Sequence, residues 1–216
     1  PSWGRNRLVG MLESRPDWCI SRQRAWGLPI PAFYTPEGGA LLTPTSVRAV
    51  AKAIGEDGST AWFTGSAADL LRHYDPAGDP DAPDDLDLST LRKAEDIFDV
   101  WFESGSSWNA VLRHRAAEGD AERNFPADLY LEGSDQHRGW FHLSLLCSLG
   151  ATGEAPFRTL LTHGFVVDKE GRKMSKSLGN TIDVEDLLKE CGADVCRWWV
   201  SSLAYENDVK ADKSLV

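Results

Sequence analysis

Short apolar runs alternate with a polar loop and an apolar segment of helical length between residues 128 and 162. This alternation constrains the fold more than any other feature of the sequence. Residues 128–131 and 158–162 are typical of strands, residues 132–139 form a polar loop, and residues 140–149 suit a buried helix. Because strands and helices that alternate in this way build parallel sheets, the sequence predicts an α/β fold. Ligands of such sheets bind at the carboxyl ends of the strands.

The composition is that of an ordinary globular chain and excludes intrinsic disorder, collagen and coiled coils. Hydrophobic residues make up 42% of the 216 residues, and charged residues make up 26%. The longest apolar stretch, residues 141–151, is interrupted by His142, Ser144 and Ser148 and is too short to span a bilayer. The N-terminal residues do not resemble a signal peptide, and we expect none. We therefore expect a cytoplasmic protein without a membrane partner.

The net charge of −10 argues against sequence-independent binding of nucleic acid by the whole surface. The charge is unevenly distributed along the chain, since residues 75–87 contain six aspartates and no base. Residues 1–24, in contrast, carry five arginines and only two acidic residues. This N-terminal segment predicts a local basic patch.

Cysteines and histidines do not form a recognisable metal-binding pattern. The four cysteines include no C-x-x-C pair. His137 and His142 are five residues apart, which differs from the spacing of four in a helical metal pair. Cys191 and Cys196 have no partner histidine. We predict reduced cysteines and no protein-held metal.

Residues 41–95 are poor in apolar residues and predict a small helical insertion. The spacing of apolar residues predicts a helix that starts at Thr45 or Ser46 and stops at Gly55. Its apolar face is expected to consist of Val47, Val50, Ala51 and Ile54. A second, shorter helix is predicted after Ser66.

Several other segments have clear local signals. Asp69 follows Ser66 at the spacing of a capping box, and residues 75–87 are expected to form a solvated loop. Residues 97–102 resemble a strand. A hairpin is predicted over residues 165–174 with its turn at 168–171. The predicted closing helices span about 183–191, with Gly192 as the C-cap, and 194–204.

Residues 172–180, here called the lysine loop, concentrate three cationic side chains, two hydroxyls and a glycine. Ammonium groups neutralise negative charge, while hydroxyls and free backbone N–H groups supply directional donors. This chemistry suits an anion such as a triphosphate. The loop is not a Walker A motif, because the order of its glycine and lysine residues is wrong. Composition alone equally allows a solvated basic loop.

The complete string favours one family. Lys173-Met174-Ser175-Lys176-Ser177 matches the signature pentapeptide of the class I aminoacyl-tRNA synthetases. Four segments resemble the isoleucyl-tRNA synthetase family in order and at comparable spacing: residues 18–31, 99–105, 128–141 and 163–180. The valyl and leucyl families share the pentapeptide but not the Leu-Glu-Gly-Ser-Asp-Gln-His-Arg-Gly-Trp-Phe string at 131–141.

This resemblance implies the C-terminal half of a Rossmann-like parallel-sheet nucleotide-binding domain with a small helical insertion. Residues 1–40 and 96–216 would form the second half of the catalytic domain, and residues 41–95 the insertion. The family's His-Ile-Gly-His motif has no counterpart here, so we expect it and an editing domain upstream, and an anticodon-binding domain downstream. The implied substrates are isoleucine, ATP with Mg²⁺, and tRNA(Ile). The isolated chain is expected to be inactive.

The resemblance also implies roles for individual residues. Lys173 and Lys176 are the implied catalytic residues, because they would stabilise the pyrophosphate that leaves ATP. The implied ATP and adenylate site consists of Glu132, Gly133, Asp135, Gln136, His163, Gly164, Met174, Ser175 and Ser177. The implied walls of the isoleucine pocket are Trp101 and Trp140.

Simpler interpretations of these residues stay open. Asp135 is also typical of a turn after Gly-Ser, and His163 of the turn that ends a strand. Most buried tryptophans belong to a core. Arg22 and Arg24 flank a region that could approach the tRNA acceptor end, although surface arginines are common. Two alternative functions also stay open: a valyl-type class I synthetase, and a stand-alone nucleotide- or tRNA-binding module.

Overall fold

The computed structural model describes residues 1–114, 119 and 125–212. Two compact units form there: a middle unit, Asp17–Glu103, and a terminal unit made of Pro1–Pro16 and the described part of Ser104–Val216. The α-helices are α1 Ser2–Glu13, α2 Pro44–Asp57, α3 Ala61–Thr64, α4 Ala67–Leu70, α5 Val100–Gly105, α6 Trp140–Thr152, α7 Val184–Cys191 and α8 Ala193–Ser201. None of the helices in this described part is both long enough and apolar enough to cross a membrane.

All strands except two are short. They are β1 Ser21–Arg22, β2 Phe33–Tyr34, β3 Ala40–Leu41, β4 Arg92–Lys93, β5 Ile97–Phe98, β6 Ala127–Gly133, β7 Phe157–His163, β8 Val166–Val167 and β9 Val209–Lys210. In the middle unit, β2 lies between β3 and β4 in an antiparallel sheet, and β1 pairs antiparallel with β5. Helices α2 and α4 contribute to the core of this unit, where Phe33 packs 5.5 Å from Trp62, measured between ring centroids.

Helix α2 begins at Pro44 with Thr43 as its N-cap, two or three residues before the cap at Thr45 or Ser46 that the sequence signals predict. The Thr43 hydroxyl accepts a hydrogen bond from the backbone N–H of Ser46, and the Ser46 hydroxyl accepts one from that of Thr43. Pro44 occupies the first turn, where its missing N–H costs nothing. Gly55 does not stop the helix, which continues to Asp57. Of the predicted apolar face, Val50 is buried and Ile54 packs against the core, but the other buried residues are Ser46, Ala49 and Ala53.

The aspartate-rich residues 75–87 are not uniformly solvated. Asp79 is only 5% exposed, and its carboxylate accepts hydrogen bonds from the hydroxyls of Thr43 and Tyr74. The Thr43 hydrogen bond is the main cause that holds the pKa of Asp79 below its usual value. Burial, together with the Asp79 contact, raises the pKa of Tyr74 to about 12. The prediction of a solvated loop is therefore wrong at Asp79, which ties this tract to the start of α2.

The prediction of a strand over residues 97–102 is correct only for Ile97 and Phe98. Helix α5 begins at Val100 because the buried Asp99 carboxylate accepts a hydrogen bond from the backbone N–H of Trp101, at 3.0 Å. A side chain that accepts from the first turn satisfies a donor that would otherwise have no intrahelical partner.

The terminal unit contains the parallel strands that the sequence predicts. Strand β6 pairs parallel with β7 over the register from Ala127 opposite Phe157 to Gly133 opposite His163, and α6 connects the two strands. A second parallel pair joins β8 and β9. The α/β prediction is confirmed. The chain is a mixed α/β structure whose longest strands run parallel.

Several local predictions are confirmed as well. Ser66 and Asp69 form both hydrogen bonds of a capping box at the start of α4. Helix α7 ends at Gly192, which has φ +78°, and α8 follows but ends at Ser201, three residues before the predicted end. Residue Val167 pairs antiparallel with Lys173, so the predicted hairpin is present.

Candidate functional site

The carboxyl ends of β6 and β7 lie side by side, because Gly133 is directly opposite His163 in the parallel register. Residues 132–136 therefore leave the sheet beside residues 163–164. This edge of a parallel sheet is where ligands of α/β proteins bind. The structure brings together two groups of predicted site residues that are almost thirty positions apart in the sequence.

Three side chains converge on Gly133. A Cβ atom at that position would lie 2.9 Å from an Asp135 carboxylate oxygen, 3.4 Å from the Phe165 ring and 3.6 Å from the His163 ring. A larger residue would have to displace the Asp135 carboxylate first. Glycine thus leaves a small space that is bordered by one carboxylate and two aromatic rings.

Gln136 connects the Asp135 carboxylate to α6. Its side-chain oxygen accepts a hydrogen bond from the backbone N–H of Trp140 at 2.8 Å, and its amide nitrogen donates to Asp135 at 3.2 Å. The first contact satisfies one of the free N–H groups at the start of α6. The second holds the Asp135 side chain at the strand end.

A stacked ring on one face and hydrogen bonds from the indole N–H hold Trp140 in one orientation. Its ring stacks on Tyr130 with centroids 4.1 Å apart and planes 2° apart. Its indole N–H donates to the backbone oxygen of Ser104 and to the hydroxyl of Ser107, both at 3.1 Å. Trp140 is half-buried, which suits both the core interpretation and the pocket-wall interpretation.

Trp101 lies in the middle unit. Its side chain is 40% exposed and borders an open cavity of about 420 Å³, which Arg22, Arg24 and Trp26 also line. Arg22 forms a salt bridge with Asp99 and donates hydrogen bonds to the backbone oxygens of Cys19 and Ser21. Part of its donor capacity is therefore used within the protein.

Gly164 allows a close approach of residues 205–208 to the end of β7. Its N–H donates to the Tyr205 backbone oxygen at 2.8 Å, and a Cβ atom would lie only 2.2 Å from backbone atoms of Asn207. The neighbouring Phe165 N–H donates to the Asp208 carboxylate at 2.8 Å. The ring nitrogen Nδ1 of His163 lies 2.7 Å from the Gly164 oxygen.

The lysine loop is joined to this strand end through Phe165. The ammonium group of Lys173 lies 5.4 Å from the centre of the Phe165 ring, within the range of a cation–π contact. Phe165 is also one of the rings that face Gly133. Phe165 therefore connects Lys173 to the space bordered by Asp135 and His163.

The second half of the lysine loop forms a short 3₁₀ turn over Lys176–Leu178. The Ser175 hydroxyl caps it by accepting from the Leu178 N–H at 3.2 Å, and it lies 3.1 Å from the Ser177 hydroxyl. Gly179 ends the turn with φ +64°. Lys176 is exposed and Met174 is half-buried.

Asp168, which the sequence predicts only as part of a turn, has a buried carboxylate close to the lysine loop. It accepts hydrogen bonds from the Asn180 amide, the Arg172 backbone N–H and the Arg172 guanidinium. The Asn180 hydrogen bond, followed by those from Arg172, lowers the pKa of Asp168 to about 2. No local sequence pattern predicts these contacts, because aspartate is common at hairpin turns.

His137 and His142, whose sequence spacing argued against a metal, have other partners. Nε2 of His137 lies 2.9 Å from the Thr162 hydroxyl, and Nε2 of His142 lies 3.3 Å from the Arg15 guanidinium. Burial lowers the pKa of both rings, with Arg7 and Arg15 as the further causes. Across residues 1–114, 119 and 125–212, no three His, Cys, Asp or Glu residues are grouped as metal ligands.

The family described as tRNA synthetases class I (I, L, M and V) matches residues 1–212. The chain belongs to the class I tRNA synthetases. It is 49% identical over its whole length to an isoleucine–tRNA ligase of Syntrophomonas wolfei and 48% identical to one of Bacillus mycoides. This synthetase chain spans 22% of the length of each of these relatives.

A solved structure supports the fold of this synthetase chain. The ternary complex of Agrobacterium radiobacter K84 agnB2 LeuRS with tRNA and LeuAMS aligns with a TM-score of 0.65 at 21% sequence identity. The alignment covers 96% of this chain and 28% of the LeuRS chain. At this identity the similarity concerns the fold alone.

Proposed function

We propose that this chain forms the second, Rossmann-like half of the catalytic domain of a cytoplasmic isoleucine–tRNA ligase. Such an enzyme activates isoleucine with ATP and transfers the isoleucyl group to tRNA(Ile). The identity of 48–49% to isoleucine–tRNA ligases along the whole chain supports this substrate. The proposed activity belongs to a longer polypeptide that contains the chain, since the relatives are much longer.

One observation carries the assignment of the site: Asp135, His163 and Phe165 converge on Gly133, and Lys173 contacts Phe165. A carboxylate suits the two hydroxyls of a ribose as an acceptor. The ammonium group that contacts Phe165 suits phosphate. An adenylate has both a ribose and a phosphate, so an acceptor and a cationic group that are connected through Phe165 suit such a ligand.

In the proposed site, the adenylate lies along the strand ends. Glu132 contacts the isoleucyl-adenylate, Gly133 and Asp135 the ribose, and Gln136 holds Asp135 in place. His163 and Gly164 lie against adenine. Met174, Ser175 and Ser177 belong to the loop that faces the phosphates. Trp140 is a proposed wall of the isoleucine pocket, and the same role for Trp101 stays a prediction from the sequence.

The first reaction step forms a bond between an isoleucine carboxylate oxygen and the α-phosphorus of ATP, while the bond from that phosphorus to the pyrophosphate oxygen breaks. No covalent bond to the protein is needed, so positioning and charge stabilisation dominate. Lys173 and Lys176 are proposed to stabilise the negative charge that accumulates on the leaving pyrophosphate. Mg²⁺ arrives bound to the phosphates of ATP as part of the substrate.

The test is isoleucine-dependent exchange between pyrophosphate and ATP in the full polypeptide encoded by the reading frame that contains this chain. We expect exchange with isoleucine and much weaker exchange with valine or leucine. Exchange that prefers valine would instead identify a valyl-type synthetase. An absence of exchange, combined with tight binding of ATP or tRNA by the 216-residue chain alone, would favour a stand-alone binding module.

A further inference from the structure

Asp168 precedes the lysine loop, Asn180 is its last residue, and a part-buried hydrogen bond joins the two side chains. The Asn180 amide nitrogen donates to the Asp168 carboxylate at 2.8 Å, and Asp168 is only 6% exposed. Asp168 directly follows strand β8, whose residues pair with β9. This contact anchors the end of the loop to a sheet.

The Asn180 side chain also holds the backbone of the loop. Its oxygen accepts a hydrogen bond from the Ser175 N–H at 2.9 Å, and its nitrogen also lies 3.3 Å from the Lys173 backbone oxygen. These two backbone groups flank Met174. One side chain thus fixes the chain between the two lysines of the pentapeptide.

Asp168 fixes the other strand of the hairpin in the same way. Its carboxylate accepts from the Arg172 backbone N–H at 2.8 Å and from the Arg172 Nε at 2.9 Å, while its own backbone N–H donates to the Arg172 oxygen. Five hydrogen bonds of the Asp168 and Asn180 side chains therefore end on residues 172–175 or on each other.

We propose that Asp168 and Asn180 are positioning residues that hold the backbone of residues 172–175 so that the ammonium groups of Lys173 and Lys176 meet the phosphates of ATP as the pyrophosphate leaves. This inference rests on the proposed function. A lysine stem is flexible, so the position of its ammonium group depends on where its backbone is held. Charges that are already in place need no reorganisation during the reaction, which is the main source of electrostatic catalysis.

The kinetic test uses the full polypeptide with Asn180→Ala. A displacement of about 1 Å in a catalytic group can cost about 100-fold in rate. We expect the maximal rate of isoleucine activation to fall about 10- to 100-fold, while the KM for isoleucine stays within about twofold. Asn6 is exposed on α1, so Asn6→Ala is a matched control that should leave both parameters unchanged.

A double variant separates positioning from general destabilisation. If Asn180 acts through Lys173 and Lys176, then adding Asn180→Ala to a Lys173→Ala/Lys176→Ala variant should cause no further loss of rate, because both groups being positioned have already been removed. Rate losses that multiply fully, or a loss that appears only in the KM for isoleucine, would overturn the inference.

Hydrogen exchange provides a second measurement that needs no activity. The Ser175 N–H donates to Asn180, so its exchange should accelerate at least about 10-fold in Asn180→Ala and not in Asn6→Ala. Unchanged protection would overturn the inference even in an active enzyme. A wild-type enzyme that shows no isoleucine-dependent pyrophosphate exchange would overturn the proposed function, and the inference with it. If hydrogen exchange at the Ser175 N–H is still faster in Asn180→Ala, the backbone contact is real and the proposed function is the premise that failed.

Discussion

Trp140 stacks face to face on Tyr130, with ring centroids 4.1 Å apart and planes 2° apart. Tyr130 is buried between Trp140 and Phe157, whose ring centroid lies 5.0 Å away, and burial raises the pKa of its hydroxyl to about 12. The phenol is therefore neutral across the physiological range. The Tyr130 ring covers one face of Trp140, and the indole N–H of Trp140 donates hydrogen bonds to Ser104 and Ser107.

Replacing Trp140 tests the proposed isoleucine pocket. In the full polypeptide, Trp140→Ala should raise the KM for isoleucine and reduce the preference for isoleucine over valine. A hydrophobic pocket distinguishes one methylene by only about 1–3 kcal/mol, so the loss of one wall leaves little discrimination. Trp140→Phe preserves an aromatic wall and should retain most of the preference, although it loses both indole hydrogen bonds. Pyrophosphate exchange with each amino acid measures both effects.

Unfolding measurements serve as the control for this pair of variants. If Trp140→Ala unfolds at lower urea concentration but keeps the wild-type KM and selectivity, then Trp140 belongs to the core alone. The assignment as a pocket wall would then be wrong.

Lys176→Ala should lower the maximal rate of isoleucine activation far more than it weakens the binding of ATP. The ammonium group is expected to contact phosphate oxygens most strongly as negative charge accumulates on the leaving group. Loss of one such donor typically costs about 10²- to 10³-fold in rate. Pre-steady-state activation at saturating isoleucine and varied ATP separates the two parameters.

Lys189→Ala is the matched control for Lys176→Ala. Lys189 is a similarly exposed lysine on α7, with only a weak contact to Asp186 at 3.9 Å, and its removal should leave the rate unchanged. A Lys176→Ala variant whose ATP affinity falls while its maximal rate is preserved would show that Lys176 binds ATP equally in the ground and transition states.

Gly164→Ala should destabilise the terminal unit. The new Cβ would lie 2.2 Å from backbone atoms of Asn207, so residues 205–208 would have to move. Overpacking of this kind typically costs about 1–3 kcal/mol in the free energy of unfolding. Urea denaturation followed by tryptophan fluorescence measures it.

Gly150→Ala should instead raise the free energy of unfolding. Gly150 lies in α6, and nothing is within 4 Å of its Cβ position. Since alanine favours a helix over glycine, this variant should be about 0.5–1 kcal/mol more stable than the wild type. Equal effects of the two substitutions would contradict the close approach at Gly164.

Asp168 should make stability depend on pH in the acidic range. Its pKa is lowered from 3.8 to about 2, mainly by the Asn180 amide and then by Arg172. Because the folded state favours the ionised form, the carboxylate stabilises the fold above pH 4, and this contribution declines as the pH falls toward 2. The difference in unfolding free energy between wild type and Asp168→Asn should therefore shrink with acidification. A difference that is constant between pH 3 and pH 7 would contradict this account.

Local sequence signals were sufficient where hydrogen bonds join near neighbours. The capping box of Ser66 and Asp69 spans three residues, and the stop of α7 needs only Gly192. They failed where a distant partner decides the conformation. Asp79 is buried because Thr43, thirty-six positions away, donates to it. Residues 97–102 are an exception, because the contact that starts a helix at Val100, from the Trp101 N–H to the Asp99 carboxylate, is itself local.

The sequence by itself determined that this chain is an α/β protein of the class I tRNA synthetases, because the periodicity of its segments and its pentapeptide are local properties. It also predicts which residue types would meet a nucleotide. Only the tertiary structure decided that Phe165 links Lys173 to the ends of the strands, and that Asn180 joins Asp168 across the lysine loop. These contacts depend on the path of the backbone between the residues, and that path is set by the pairing of β6 with β7 and of β8 with β9.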